Sequence, residues 1–284
     1  MKLQEKPISK ADILEYLRTD SDFSFEISVL QKLNSQGFSC EHAGTYEDPI
    51  TRRTREFDIR ARKTILDASH LKVNILFSVE CKNLRSNFPL VVHSMPRRKH
   101  ESWIELIRAN SQRNQTTAIE LSDTECPYQV EDWVGKACDQ VGRRQGGDNC
   151  LVGNDGDVYD KISQAVNSSY ELLWEARNYR AKITQIVSLV IPILVVPDGR
   201  LWRVRYSHTG DAESEPTLVK RMDYYLNKTW SFKCYTDWYE KYRISHMQIV
   251  EASELEAVVK RYTDMPQLRE HSIRNRLVKQ ETII

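Results

Sequence analysis

The sequence predicts an α/β chain, on three observations. Residues 22–35 carry Phe25, Val29, Leu30 and Leu33 along one helical stripe. After Gly37 the pattern changes to short β-compatible segments at 38–46, 55–63 and 72–82. Further on, a long helical stretch at 157–180 precedes an apolar, β-branched run at 183–196 that suits a buried strand.

Each element has a local reason. Ser9 can cap a short helix in which Ile13, Leu14 and Leu17 fall at helical spacing, and Asp12 completes a capping box. Gly37 stands where a helix C-terminus turns left-handed. Pro49 and the polar residues 67–70 mark turns, so the three strands read as an antiparallel meander. Residues 83–154 lose clean periodicity and read as a helical insertion, with one short helix around Trp103, Ile104 and Ile107 and another at 133–141. Pro197, Asp198 and Gly199 end the apolar run, strands follow at 201–206 and 226–235, and a terminal amphipathic helix covers 253–262. The expected organisation is a core in two parts, 1–82 and 155–197. An insertion at 83–154 serves as lid or specificity region, and a C-terminal β/α extension at 198–284 continues the sheet. The charged residues from Gln267 onward are expected to fray.

Bulk properties exclude several classes. At 284 residues, 40% hydrophobic and 29% charged, with mean hydropathy −0.57, the chain has the composition of a globular protein. Residues 1–10 have no continuous apolar stretch, and the strongest apolar run falls well short of the ~20 residues that span a bilayer. A cytoplasmic protein without a membrane partner is expected. The six cysteines lack any C-x2-C pairing and read as free thiols. A net charge of +1 gives no global attraction to nucleic acid, so affinity for it has to come from local basic patches.

Strand alternation shows where chemistry can sit. On the second strand Glu56, Asp58, Arg60 and Arg62 point opposite to Phe57, Ile59 and Ala61. On the third, Val73, Ile75, Phe77, Val79 and Cys81 make an apolar face, with Asn74, Leu76, Ser78, Glu80 and Lys82 on the other side. Pairing these strands brings Asp58 and Glu80 together on the polar side, with Lys82 two residues beyond. Two carboxylates of this kind suit Mg²⁺, which takes a few carboxylate oxygens plus water and substrate phosphate. Phosphodiester hydrolysis needs an activated water, neutralised phosphate charge and a stabilised leaving oxygen, and a bound metal with a nearby cation supplies them.

The element order, Phe57-Asp58 and the triplet Glu80-Cys81-Lys82 resemble the PD-(D/E)XK superfamily of restriction-endonuclease-like nucleases, with Phe57 in place of the proline. The resemblance covers residues 22–82, and 157–196 by element order. It implies a restriction-endonuclease-like core, a mixed central sheet flanked by helices, and a Mg²⁺-dependent endodeoxyribonuclease, with Mn²⁺ as a substitute ion, working in restriction, defence or repair. Asp58, Glu80 and the Cys81 main-chain carbonyl would bind the metal, Lys82 would activate or orient water, and Glu26 would assist the metal or position Lys82. Gln164 matches a glutamine that some branches place near the metal, although Ser168 stands where its partner tyrosine is expected.

Arg52, Arg53, Arg55, Arg60, Arg62 and Lys63 form a basic cluster that can contact DNA phosphates, and Arg97, Arg98, Lys99 and His100 form a second. Arg143 and Arg144 make a third. For each residue the competing reading is a solvated face. The aromatic stretch from Tyr224 to Tyr239 is expected to pack in a core more than to stack on bases. Cys81, on the apolar face, is expected to be a packed thiol. The expected partner is DNA, with a homodimer or partner subunits of a defence system as further partners. The competing function is a catalytically silent nucleic-acid-binding or regulatory domain on the same fold. A serine or cysteine hydrolase lacks any G-x-S-x-G elbow.

Overall fold

The computed structural model describes residues 5–66, 72–110, 115–122, 126–144, 150–154, 156–178, 186–213, 215–233, 239–265 and 268. The expected turn at 67–70, the first residues of the 183–196 strand, Cys234, Tyr235, Trp238 and the charged tail after Leu268 lie outside the described residues.

The chain opens with α1 (Lys10–Thr19) and α2 (Asp22–Ser35), followed by β1 (Ser39–Glu47), β2 (Thr54–Leu66) and β3 (Lys72–Cys81). Then come β4 (Leu90–Pro96), a 3-10 turn at Lys99–Glu101, β5 (Trp103–Asn110), β6 (Gln115–Ser122), β7 (Trp133–Arg143) and β8 (Leu151–Asn154). The chain continues with α3 (Gly156–Asn178), β9 (Ile186–Val196), β10 (Leu201–Arg205), β11 (Thr217–Leu218), β12 (Arg221–Lys233), β13 (Tyr239–Glu251) and α4 (Leu255–Thr263). Among the described residues these strands form one mixed sheet, ordered β1-β2-β3-β9-β13-β12-β7-β4-β10-β11, with β5 also on β9, β6 on β5 and β8 on β7. No helix of the described residues is long and apolar enough to cross a membrane.

Local signals explain the N-terminal part. Ser9 and Asp12 cap α1 reciprocally, Asp12 N donating to Ser9 Oγ at 3.2 Å and Ser9 N to Asp12 Oδ2 at 2.7 Å. Gly37 has φ +78°, the left-handed exit that ends α2. β1, β2 and β3 form an antiparallel meander, and β3 then pairs in parallel with β9 over its whole length, Lys72 beside Ile186 through Cys81 beside Val195. β9 is buried at every residue, as a strand covered on both faces must be. Its other edge is shared: β5 pairs with Ile186–Ser188 and β13 with Ile193–Val196. Pro192, which has no N–H to give, falls between those two sets of partners.

Helices cover both faces of the sheet. Val29 and Leu33 of α2 and Val258, Val259 and Tyr262 of α4 pack with Ile59, Ala61, Ile75, Phe77, Val79 and Cys81 on one side. On the other side α3 packs Val158, Ile162 and Ala165 against Leu194, Val196, Leu90, Val92 and Leu201. Farther along α3, Leu172, Leu173 and Ala176 meet Leu76, Val190, Trp230 and Phe232. Burying one such aliphatic side chain contributes about 1.5–3 kcal/mol, so these layers hold α3 firmly on the β3 face that carries Glu80.

The expected helical insertion is corrected by the structure. Residues 83–154 contribute β4 to β8, and their described helical content is the single 3-10 turn. β5 is buried on both faces, with Ile104 and Leu106 in the α2 layer and Ile107 in the α3 layer. Apolar residues are therefore needed at successive positions, which imitates helical spacing. In β7 the overlooked signal was glycine. Gly135 approaches the Val92 and Tyr224 side chains, and a Cβ on Gly142 would stand 2.5 Å from the Phe88 ring. Such close approaches explain glycine in a strand, and glycine is a poor helix former.

Candidate active site

The β2–β3 ladder ends at Ile59 beside Val79, and the strands part where Asp58 and Glu80 would form the next pair. Side chains take over from the missing rung. Asp58 Oδ2 accepts the Cys81 backbone N–H at 2.7 Å, and Glu80 Oε1 lies 3.4 Å from Asp58 N. The opposite edge of β2 opens at the same place, since Ala43 of β1, opposite Asp58, adopts φ +52° and drops out of the ladder. The two acids therefore project from a local opening in the sheet, on the side covered by α3.

Lys161 of α3 fills the space between them. Its Nζ donates to Asp58 Oδ1 at 3.0 Å, to Asp58 Oδ2 at 2.8 Å and to Glu80 Oε2 at 3.0 Å. Glu80 is fully buried. Burial and the adjacent Asp58 push its pKa up to about 8, against the pull of Lys161. Burial works against the Lys161 charge too, but Glu80 and Asp58 outweigh it, so the ammonium is held more strongly than usual. One ammonium faces two carboxylates in a poorly solvated site, which favours the protonated form of Glu80.

Glu26 reaches the same region from α2 on the opposite face. Its Oε2 is 3.1 Å from His42 Nε2, and the His42 ring lies 5.3 Å from that of Phe23. Burial, then Asp58, raise its pKa, while His42 and Lys161 lower it. Lys82 lies just past the end of β3. Its backbone N–H donates to Val195 O, and its ammonium pairs with the exposed Asp157 at 3.7 Å. The lysine bridging the two acids is thus Lys161, which the sequence reading missed. A signal for it existed: Val158, Lys161, Ala165, Ser168 and Leu172 form an inward stripe at spacings of three and four, where a lysine asks for a buried acid.

Cys81 is buried on the apolar side, and burial, then Asp58 and Glu80, push its thiol well above the ordinary range, which disfavours a nucleophile. Gln164 does not join the acids by any hydrogen bond. It lines a cavity of about 180 Å³ between the turn at Asp48–Arg55 and Asp160 and Asn167 of α3.

The basic clusters divide by environment. Arg52 and Arg53 are exposed, Arg52 pairing with Glu47 at 3.2 Å, and Arg55 lies 3.5 Å from Asp48. Arg60 is buried, bonded to Glu171 Oε2 at 2.8 Å and placed over the Phe57 ring, so a phosphate cannot reach it. Arg62 pairs with Glu175 at 3.0 Å, and Lys63 donates to Gln36 O at 2.7 Å. Arg97 also leaves the predicted DNA-contacting set. It has no exposed surface, bonds Asp223 Oδ2 at 2.7 Å and Gln129 O at 2.8 Å, and packs beside Tyr128. Its neighbours Arg98, Lys99 and His100 remain on the surface, as do Arg143 and Arg144. Trp230 and Phe232 fill the core, as expected of strand-spaced aromatics.

Among the described residues no group of three or more His, Cys, Asp or Glu side chains is placed to hold a metal ion. The metal donors at the opening are two carboxylates, with a cation already seated between them. That set suits an ion of the magnesium type, which binds through one or two carboxylates and keeps several waters. It offers no histidine or thiolate, the ligands that dominate zinc sites. No protein-family model, no curated protein and no solved structure matches this chain.

Proposed function

We propose that this chain is a Mg²⁺-dependent nuclease of restriction-endonuclease-like architecture that hydrolyses DNA phosphodiester bonds. The observation carrying the proposal is the convergence of Asp58, Glu80 and Lys161 where β2 and β3 part. The succession α2, meander β1 to β3, α3 and then β9 parallel to β3 supports the architectural part. Asp58, Glu80 and the Cys81 carbonyl would hold the ion, which supplies charge neutralisation on the phosphate and a more acidic bound water. With an ion between the carboxylates, Lys161 would be released from them and its ammonium would be free to neutralise phosphate charge. Lys82, at the open end of β3, is available to orient the attacking water. The water oxygen would form the new bond to phosphorus and give up a proton to solvent, the bond to the leaving nucleotide oxygen would break, and that oxygen would take up a proton in return. Glu26 and His42 stand behind Asp58 as positioning residues.

One observation favours a catalytically silent domain: Lys161 occupies the place between the acids that an ion would take. A single experiment decides between the two. Wild type, Glu80→Gln and Lys161→Met are incubated with plasmid, linear duplex, single-stranded DNA and RNA, in Mg²⁺, Mn²⁺ or chelator. Cleavage by wild type alone, and only with metal, supports the nuclease. Binding without cleavage supports the silent domain, and equal cleavage by all three proteins sinks the assigned residues.

A further inference from the structure

Most partly or fully buried arginines among the described residues are matched to carboxylates, while the Arg200 guanidinium bonds only Gly199 O. Arg60 has Glu171, Arg62 has Glu175, Arg97 and Arg261 share Asp223, Arg177 has Glu240 and Arg243 has Glu105. Arg203 and Arg205 of β10 break this pattern. Both are half-buried, and among the described residues neither guanidinium makes an ion pair or a side-chain hydrogen bond. Nε of each is buried without a partner, as is Thr217 Oγ1, which lies on β11 directly beside Arg203. The facing acids Glu213 and Glu215 are exposed and pair with neither arginine among the described residues.

Residues two apart on a strand project on the same side, about 6–7 Å from one another. Two cations at that separation repel, and burial adds to the cost; burial, then Arg205, already pull the Arg203 pKa down. Among the described residues no carboxylate pairs with either guanidinium. The protein does supply a flat aromatic surface, with the Arg205 guanidinium 5.2 Å from the centre of the Trp133 ring. Arg203 and Arg205 follow Leu201 at alternate positions, and Leu201 packs with Val158, Ile162 and Ala165 of α3. The pair therefore opens on the α3 side of the sheet, the side on which Lys161 meets Asp58 and Glu80.

We infer that Arg203 and Arg205, with Trp133 and Thr217 beside them, form a phosphate-binding stripe that holds the backbone of a nucleic acid at a distance from the reacting acids. The identity of the polyanion rests on the nuclease reading, whereas the need for an anion rests on the two unmatched guanidinium groups. Phosphate contacts of this kind fix the position of a substrate without reading its sequence. They appear as a dependence of affinity on salt, because each neutralised phosphate releases a bound counterion.

The test measures binding of labelled duplex and single-stranded DNA by fluorescence anisotropy over a salt series in chelator, so that nothing is cut. Wild type is compared with the double variants R203A/R205A and R203K/R205K, with inorganic phosphate as a separate ligand. The alanine pair is expected to lower the slope of log affinity against log salt by about two, one for each lost contact. The lysine pair keeps most of the slope. Equal melting temperatures and equal Mn²⁺ binding in wild type and the alanine pair exclude a folding defect. An unchanged slope, no nucleic-acid binding by wild type, or binding of inorganic phosphate with no effect of the arginines on DNA affinity each overturns the inference. Arginine-dependent binding without cleavage keeps the stripe and removes the hydrolytic reading, while cleavage with an unchanged slope does the reverse.

Discussion

The Asp58 carboxylate accepts the Cys81 backbone N–H at 2.7 Å, a side-chain bond that replaces the next rung of the β2–β3 ladder. Asp58 thus both opens the sheet and seals the opening. Asp58→Ala leaves a largely buried N–H unsatisfied, at a cost of about 1–3 kcal/mol. Asp58→Asn keeps an oxygen acceptor at the same place and should recover most of that stability. Both should lose divalent-ion binding. Urea unfolding together with Mn²⁺ calorimetry on the two variants checks this, and an Asn variant as unstable as the Ala variant would overturn the sealing role.

Glu80 gives a dependence on pH with a definite sign. Its folded pKa of about 8 lies above the ordinary carboxylate value, so the fold favours the protonated form. The contribution of this group is fully present below about pH 4.5 and is lost as pH rises through 8. Metal-free wild type should therefore lose melting temperature between pH 5 and 8, relative to Glu80→Gln, as an order-of-magnitude window. A divalent ion requires the ionised carboxylate, so its apparent affinity should rise over the same interval, with proton release seen when calorimetry is repeated in buffers of different ionisation enthalpy.

The two lysines should separate cleanly. Lys161→Met removes the only cation bonded to Asp58 and Glu80 among the described residues, and breaking a buried ion pair costs about 3–5 kcal/mol, less here because Lys161 is one quarter exposed. Added Mg²⁺ should restore much of the lost melting temperature. Lys82→Met gives up an ion pair to an exposed aspartate, worth at most about 1 kcal/mol. If Lys82 orients water, its variant keeps the fold and loses turnover. Thermal melts with and without Mg²⁺, beside cleavage rates, distinguish the roles.

Arg97→Ala tests the inner network. The change leaves Asp223 with Arg261 and Gln248 and removes the shorter of two hydrogen bonds to Gln129 O, so about 2 kcal/mol or more of stability should go. The salt dependence of DNA affinity should not change, because Arg97 has no exposed surface. An altered salt slope with full stability would contradict the burial described above.

What the sequence disclosed follows from the range of the forces involved. Capping at Ser9, the left-handed exit at Gly37 and the alternation along β2 and β3 are local, and the structure keeps all of them. The acids Asp58 and Glu80 were legible because alternation alone assigns them to one face. Lys161 was not, since its partners lie 103 and 81 residues away in sequence. Arg60 and Arg62 look in sequence like a basic surface, but they meet Glu171 and Glu175 of α3, acids that no pattern within β2 reveals. β5 and β7 were misread for the opposite reason: burial on two faces and close-packed glycines erase the alternation that marks a half-buried strand.

The shared edge of β9 governs how the molecule can be taken apart. With β5 docked at one end of that edge and β13 at the other, excising residues 83–154 would strip hydrogen-bonding partners from the most apolar strand of the sheet. A trimmed version would present a sticky, unpaired margin prone to self-association. The segment that reads in sequence as a detachable insertion is built into the sheet, and grafting it elsewhere would require transplanting the strand it leans on as well.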